Sequence, residues 1–131
     1  MPIEHAVDHA TLRVIVTARG DLRLEDIAAL YTELADRQCL EYTQRFDARH
    51  ATVVLSAEDV RRLVSLMARL RADHGQSRTA FIAESDVSFG MARMYGTLAA
   101  ETDSGFMVYR TIEDGDSWLG WQRIALSQQT A

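Results

Sequence analysis

Lysine is missing: all 14 basic residues are arginine. Without a primary amine on a side chain, the protein cannot form a Schiff base, hold pyridoxal phosphate, or supply the lysine of a phosphate-binding P-loop. There is a single cysteine, Cys39, so neither an internal disulfide nor a multi-cysteine zinc site can form, and a reducing compartment is expected. One proline and seven glycines leave no Pro-rich or Gly-rich linker. No window approaches the ~18 apolar residues of a membrane span. The opening Met1-Pro2-Ile3-Glu4-His5 has neither the basic start nor the apolar stretch of an export leader, so the expectation is a cytoplasmic protein. Basic residues are scattered, with no run longer than Arg61-Arg62, and the net charge is −5. A concentrated basic face for phosphate is lacking, and nucleic acid is not an expected partner.

The chain has 131 residues, 47% hydrophobic and 25% charged, values that suit one folded domain spanning residues 1–131 around one core. Residues 11–18 are rich in β-branched side chains and stop at Arg19-Gly20-Asp21, which reads as a strand followed by a turn. Residues 3–7 can form its hairpin partner. From Leu24 through Ile27, Ala28, Tyr31, Leu34 and Ala35, apolar residues recur every three or four positions, predicting a helix to about residue 37. Residues 42–46 read as a weak strand and 47–55 as irregular.

Ser56, three residues before Asp59, marks a helix start, and His74-Gly75 marks its end; Val60, Leu63, Val64, Met67 and Leu70 form the apolar stripe between them. Residues 78–83 read as a buried strand and 86–100 as a helix with Val87, Met91, Met94, Tyr95 and Leu98 on one face. Residues 106–109 read as a strand, and a last helix begins near Glu113, anchored by Trp118 and Leu119. This alternation predicts an α/β sandwich: a four- or five-stranded mixed, mostly parallel sheet under about four helices. Strands 11–18 and 78–83 are expected side by side at the sheet centre, with residues 3–7 at an edge.

The order of elements, the string Phe89-Gly90-Met91-Ala92-Arg93-Met94-Tyr95 in the third helix and Asp116-Ser117-Trp118-Leu119 in the last resemble the SpoIIAA-like branch of the STAS proteins, a family related to sulfate-transporter and anti-sigma-antagonist domains. They also resemble the CRAL-TRIO lipid-binding fold. The resemblance covers nearly the whole chain and implies a non-enzymatic bacterial regulatory domain that acts through a protein partner or as a homodimer. In that family, anti-sigma antagonists carry a regulatory serine in an Asp-Ser-x-Gly string before the second helix. Here the region reads Phe46-Asp47-Ala48-Arg49-His50 and then Val54-Leu55-Ser56-Ala57, so Asp47 has a counterpart and the string does not.

Each candidate site has a plainer alternative. Ser56 is either a phosphoacceptor at a positive helix end or an ordinary N-cap, with Glu58 and Asp59 nearby to repel phosphate. In a parallel sheet, ligands gather beyond the carboxyl ends of strands, which places Asp47, Arg49, His50, Ser85, Asp86 and Ser88 on one rim. That rim is either an interaction surface or the seat of a small hydrolase, although no Gly-x-Ser-x-Gly elbow is present. His5 and His9 have helical zinc spacing on a segment that reads as strand and turn, where four residues span about 13 Å, so no metal is expected. Cys39 has no activating neighbour. Met91, Met94 and Tyr95 either line a pocket for a small amphiphile, with Arg93 at its mouth, or are ordinary core. No cofactor is indicated.

Overall fold

The computed structural model describes residues 2–121. The chain runs β1 (Ile3–Asp8), β2 (Arg13–Leu22), α1 (Leu24–Asp36), β3 (Thr43–Val53), α2 (Ala57–His74), β4 (Thr79–Ile82), α3 (Asp86–Leu98), β5 (Phe106–Tyr109) and α4 (Ile112–Leu119). The strands form one sheet in the order β1-β2-β3-β4-β5. β1 pairs antiparallel to β2, and the other pairs are parallel, as the mixed, mostly parallel expectation has it.

Side-chain alternation divides the sheet's faces. Val14, Val16, Ala18, Phe46, Ala48 and Phe81 look toward α1, α2 and α3, and with Leu30, Leu34, Val60 and Met67 they make the main core. Ala80 and Ile82 look the other way, onto a smaller cluster with Leu119 and Trp121 beneath α4. Phe46 and Phe81 lie with ring centroids 4.8 Å apart, Phe81 and Phe106 6.0 Å apart, and Tyr95 stands edge-on to Phe106 at 4.8 Å. This aromatic row crosses β3, β4 and β5 under α3 and contributes about 0.5–1.5 kcal/mol per pair beyond area burial.

Two expectations fail here for one reason. Residues 11–18 and 78–83 are not neighbours, because β3 lies between them, and residues 47–55 are not irregular, because β3 continues to Val53. β3 buries Gln44, Phe46 and Ala48 and turns Arg45, Asp47 and Arg49 to the far face. Its register against β2 then shifts: Thr17 faces Asp47 while Arg19 faces His50, one residue more on β3 than on β2. That bulge re-phases the strand so that Ala51 and Val53 are buried. Polar alternation followed by a broken period of two looks like a loop in sequence. β2 likewise passes through Gly20, which holds φ at 70°, and ends at Leu22.

The buried line of α3 is also displaced from the expected stripe. It runs through Ser88, Ala92 and Tyr95, while Val87 is 67% and Leu98 52% exposed. Small residues bring this helix close to the sheet; a Cβ at Gly96 would already meet the Phe106 ring at 3.2 Å.

Candidate functional site

The rim residues predicted from sequence separate into two groups. At the start of α2, the Ser56 hydroxyl accepts from the Asp59 N–H at 3.0 Å, and the Asp59 carboxylate accepts from the Ser56 N–H at 3.0 Å. At the start of α3, the Ser85 hydroxyl accepts from the Ser88 N–H at 3.2 Å. Ser88 is buried, and its hydroxyl accepts from the Val53 N–H at 3.2 Å, tying the end of β3 to α3. Asp86 pairs with Arg110 at 2.9 Å. These groups stand beside one another above the carboxyl ends of β3 and β4.

Asp47, Arg49 and His50 belong to β3 itself rather than to a loop. Both Asp47 oxygens are taken by Arg49, at 2.9 and 3.0 Å, and the first also accepts the Arg49 N–H. Burial by itself would raise the Asp47 carboxyl; the Arg49 hydrogen bonds and charge outweigh it and hold it below the usual carboxylate range. No hydrogen bond among the described residues joins His50 to a serine. With Ser56 and Ser85 capping helices, the buried Ser88 bonded to β3, and Asp47 and Asp86 each paired with an arginine, these rim residues form no assembled nucleophile and base among the described residues.

The strand order explains the shape of this rim. Each parallel connection steps to the next strand in the same direction, which places α1, α2 and α3 on one face. A ligand crevice in an open α/β sheet opens where the order reverses, and this sheet has no reversal.

Beneath α3 lies an apolar cleft of about 40 Å³, lined by Phe46, Met67, Phe81, Met91 and Tyr95, with Asp103 at its polar end. Ligand pockets run to about 300–1,000 Å³. Of the four residues expected to hold an amphiphile, Met91 and Tyr95 reach this cleft. Arg93 does not, and instead lies exposed over Phe89, 6.0 Å from the ring. Met94 is half-buried against the main core and does not line the cleft.

The chemistry that sequence reading missed is inside. Arg71, 2% exposed, sits on the buried stripe of α2, and its Nε lies 3.3 Å from Asp103 Oδ1. Its Nη1 donates to the Leu40 carbonyl at 2.6 Å and to Ser77 Oγ at 3.2 Å. Tyr95 donates to Asp103 at 2.7 Å. Burial first, then the Asp103 charge and this hydrogen bond, push the Tyr95 phenol far above its ordinary value. Asp103 therefore pairs with Arg71. The signal was present: Val60, Leu63, Met67 and Arg71 keep helical spacing, and a charge on that stripe has to find a partner.

Cys39 is buried, and desolvation raises its thiol. His5 contacts Glu33 at 2.9 Å and His9 contacts the Tyr42 hydroxyl at 2.9 Å, so the two histidines are engaged separately. Among the described residues no helix is long and apolar enough to cross a membrane.

No family profile matches the chain, and no curated protein matches it in sequence. Solved structures do match in shape. An uncharacterized protein with a SpoIIAA-like fold from Shewanella loihica PV-4 superposes with a TM-score of 0.59 at 18% identity, over 89% of this chain and 93% of that one. An anti-sigma factor antagonist from Mycobacterium paratuberculosis gives 0.56 at 15% identity, over 90% and 94%. The anti-sigma factor antagonist SpoIIAA in its unphosphorylated form gives 0.52 at 16%, over 90% and 97%. The chain thus has the SpoIIAA-like, STAS-type fold that its element order resembles. These structures lend the CRAL-TRIO likeness no support.

Proposed function

We propose that this protein is a non-enzymatic regulatory domain that binds a partner protein through the rim formed by the starts of α2 and α3. The observation that carries the reading is the strand order without reversal, which leaves at the strand ends a surface rather than a crevice. That surface has an apolar centre. Val87 is 67% exposed, it lies one turn before Met91 on α3, and Met91 and Leu55 share the wall of the cleft below. Ser56, Ser85 and the Asp86–Arg110 pair surround it, an apolar patch with a polar border as protein interfaces have. Arg49 and Asp47 extend the border on the far side of the sheet. The two neighbours described as anti-sigma factor antagonists act on proteins, which agrees with this reading. A carrier of amphiphiles would need a cavity several times larger than the cleft under α3.

A photo-crosslinking amino acid installed at position 87, in cells of the native host, tests the proposal. The expected result is one discrete adduct of higher mass from position 87 and none from position 62, on the exposed side of α2. An adduct of twice the chain mass would identify the partner as a second copy. No adduct at position 87, or the same adduct from both positions, would overturn the reading.

A further inference from the structure

The sheet's other exposed feature is its last strand. Among the described residues β5, like β1, is an edge of the sheet, and its bonds to β4 fix which of its backbone groups point away from that neighbour. The Thr79 N–H donates to the Gly105 carbonyl at 2.8 Å and the Ala83 N–H to the Tyr109 carbonyl at 2.9 Å. In a parallel ladder alternate residues face the same neighbour, so Val108 turns both its N–H and its C=O away from β4. Alongside runs a groove of about 360 Å³ between β5 and α3, walled by Phe89, Arg93 and Gly96 on the helix and by Met107 and Val108 on the strand. Gly96 adds no side chain to fill it, and Met107 is 45% exposed.

Charge selects the occupant. Arg93 is the one charged residue in the groove wall among the described residues. It makes no ion pair among them; its guanidinium lies 6.0 Å from the centroid of the Phe89 ring, which Arg110 covers more closely at 4.1 Å. In a chain of net charge −5, a groove with an unpaired cation and no carboxylate is matched by a segment that brings one. A second copy of the chain is the poorer match, because antiparallel pairing of two β5 edges sets the two α3 helices on the same face of the joined sheet and brings two Arg93 side chains together across the axis.

We propose that the β5 edge and the groove between β5 and α3 dock an extended segment of a partner protein, apolar residues alternating with a carboxylate, which joins the sheet as a sixth strand. Main-chain bonds to Val108 provide the attachment, and Arg93 selects the acidic side chain. This surface is independent of the rim. Consecutive helical residues turn by about 100°, so Phe89, Arg93 and Gly96 fall on one flank of the buried line of α3, and Val87 and Met91 fall on the other.

The test is a selection of random linear peptides of about twelve residues against the immobilised full chain, followed by fluorescence polarisation of the enriched sequences. Enrichment of β-branched or aromatic residues alternating with Asp or Glu is expected. Val108→Pro removes the outward N–H without touching the β4 ladder and should weaken binding by about tenfold or more, while Val108→Thr retains it. Arg93→Glu should weaken binding as much, and Val87→Asp should leave it unchanged. If Val108→Pro does not fold by circular dichroism, Arg93→Glu decides alone. Binders without carboxylates, binders indifferent to Arg93→Glu, or binders lost on Val87→Asp would overturn the proposal. So would a chain dimer, seen by sedimentation, that Val108→Pro dissociates.

Discussion

Replacing Arg71 with methionine keeps most of the side-chain volume and removes the charge. Arg71 and Asp103 have side chains only 1% and 3% exposed, so the carboxylate left behind has no solvent to turn to, and the Leu40 carbonyl loses its donor as well. Breaking one partner of a buried pair costs about 3–5 kcal/mol. Against the ~5–15 kcal/mol that stabilises a domain of this kind, that is a fifth or more of the total. With a urea slope of ~2 kcal/mol/M, the midpoint should fall by roughly 2 M. Asp103→Asn should be costly for the converse reason, leaving a buried guanidinium without its counter-charge. The informative experiment is the double variant. If the ion pair is the main contact each residue makes, Arg71→Met with Asp103→Asn should cost less than the two single losses added together, by about 0.5–3 kcal/mol. Urea unfolding followed by far-UV circular dichroism measures all three. Additive losses, or a loss below ~1 kcal/mol for Arg71→Met, would show that the pair does not hold α2 to the segment before β5.

Two other substitutions probe the same region. Burial first, and the Asp103 charge next, raise the phenols of Tyr31 and Tyr95 above their ordinary 10.0; above about pH 10 the unfolded chain releases these protons and the folded chain keeps them, so stability is intact below that pH and declines as pH rises beyond it. Tyr95→Phe should flatten part of that decline in unfolding midpoints measured up to about pH 11, and a native protein whose midpoint holds steady over this range would contradict the burial. A Cβ at Gly105 would lie 1.8 Å from the Ser77 carbonyl oxygen, so Gly105→Ala should force the backbones apart and cost about 1–3 kcal/mol or more; a urea midpoint within error of the native value would mean that the two segments are not in contact.

Much of the fold could be read from the residues. Ser56 with Asp59 and Gly75 after His74 bound α2 because their signals are local: a hydroxyl three residues ahead of an acid, and a glycine where φ reaches 95°. The alternation of elements gave the parallel sheet and its edge at residues 3–7. β3 escaped because its identity as the central strand depends on neighbours. Arg45, Asp47 and Arg49 are tolerable on its far face only because Asp116 holds Arg45 at 3.0 Å and Asp47 holds Arg49 at 2.9 Å, and a pairing across 71 positions leaves no local pattern. The displaced stripe of α3 has a similar origin. How closely a helix approaches a sheet decides whether alanine or methionine fills the gap, and that distance is set by Gly96 against Phe106.

Because strands join the sheet in the order of translation, each new β-α unit finds its docking edge already synthesised. The hairpin of β1 and β2 can close first, and β3, β4 and β5 can then be laid down one after another as the chain leaves the ribosome, each against the strand before it. The interval before each addition is one in which the growing edge is bare, and for β3, the longest strand at 11 residues, that edge is the broadest. Its bulge and its three charged side chains on one face make it a poor template for stray pairing, so the features that disguise β3 in the sequence also shield the half-made protein from aggregation.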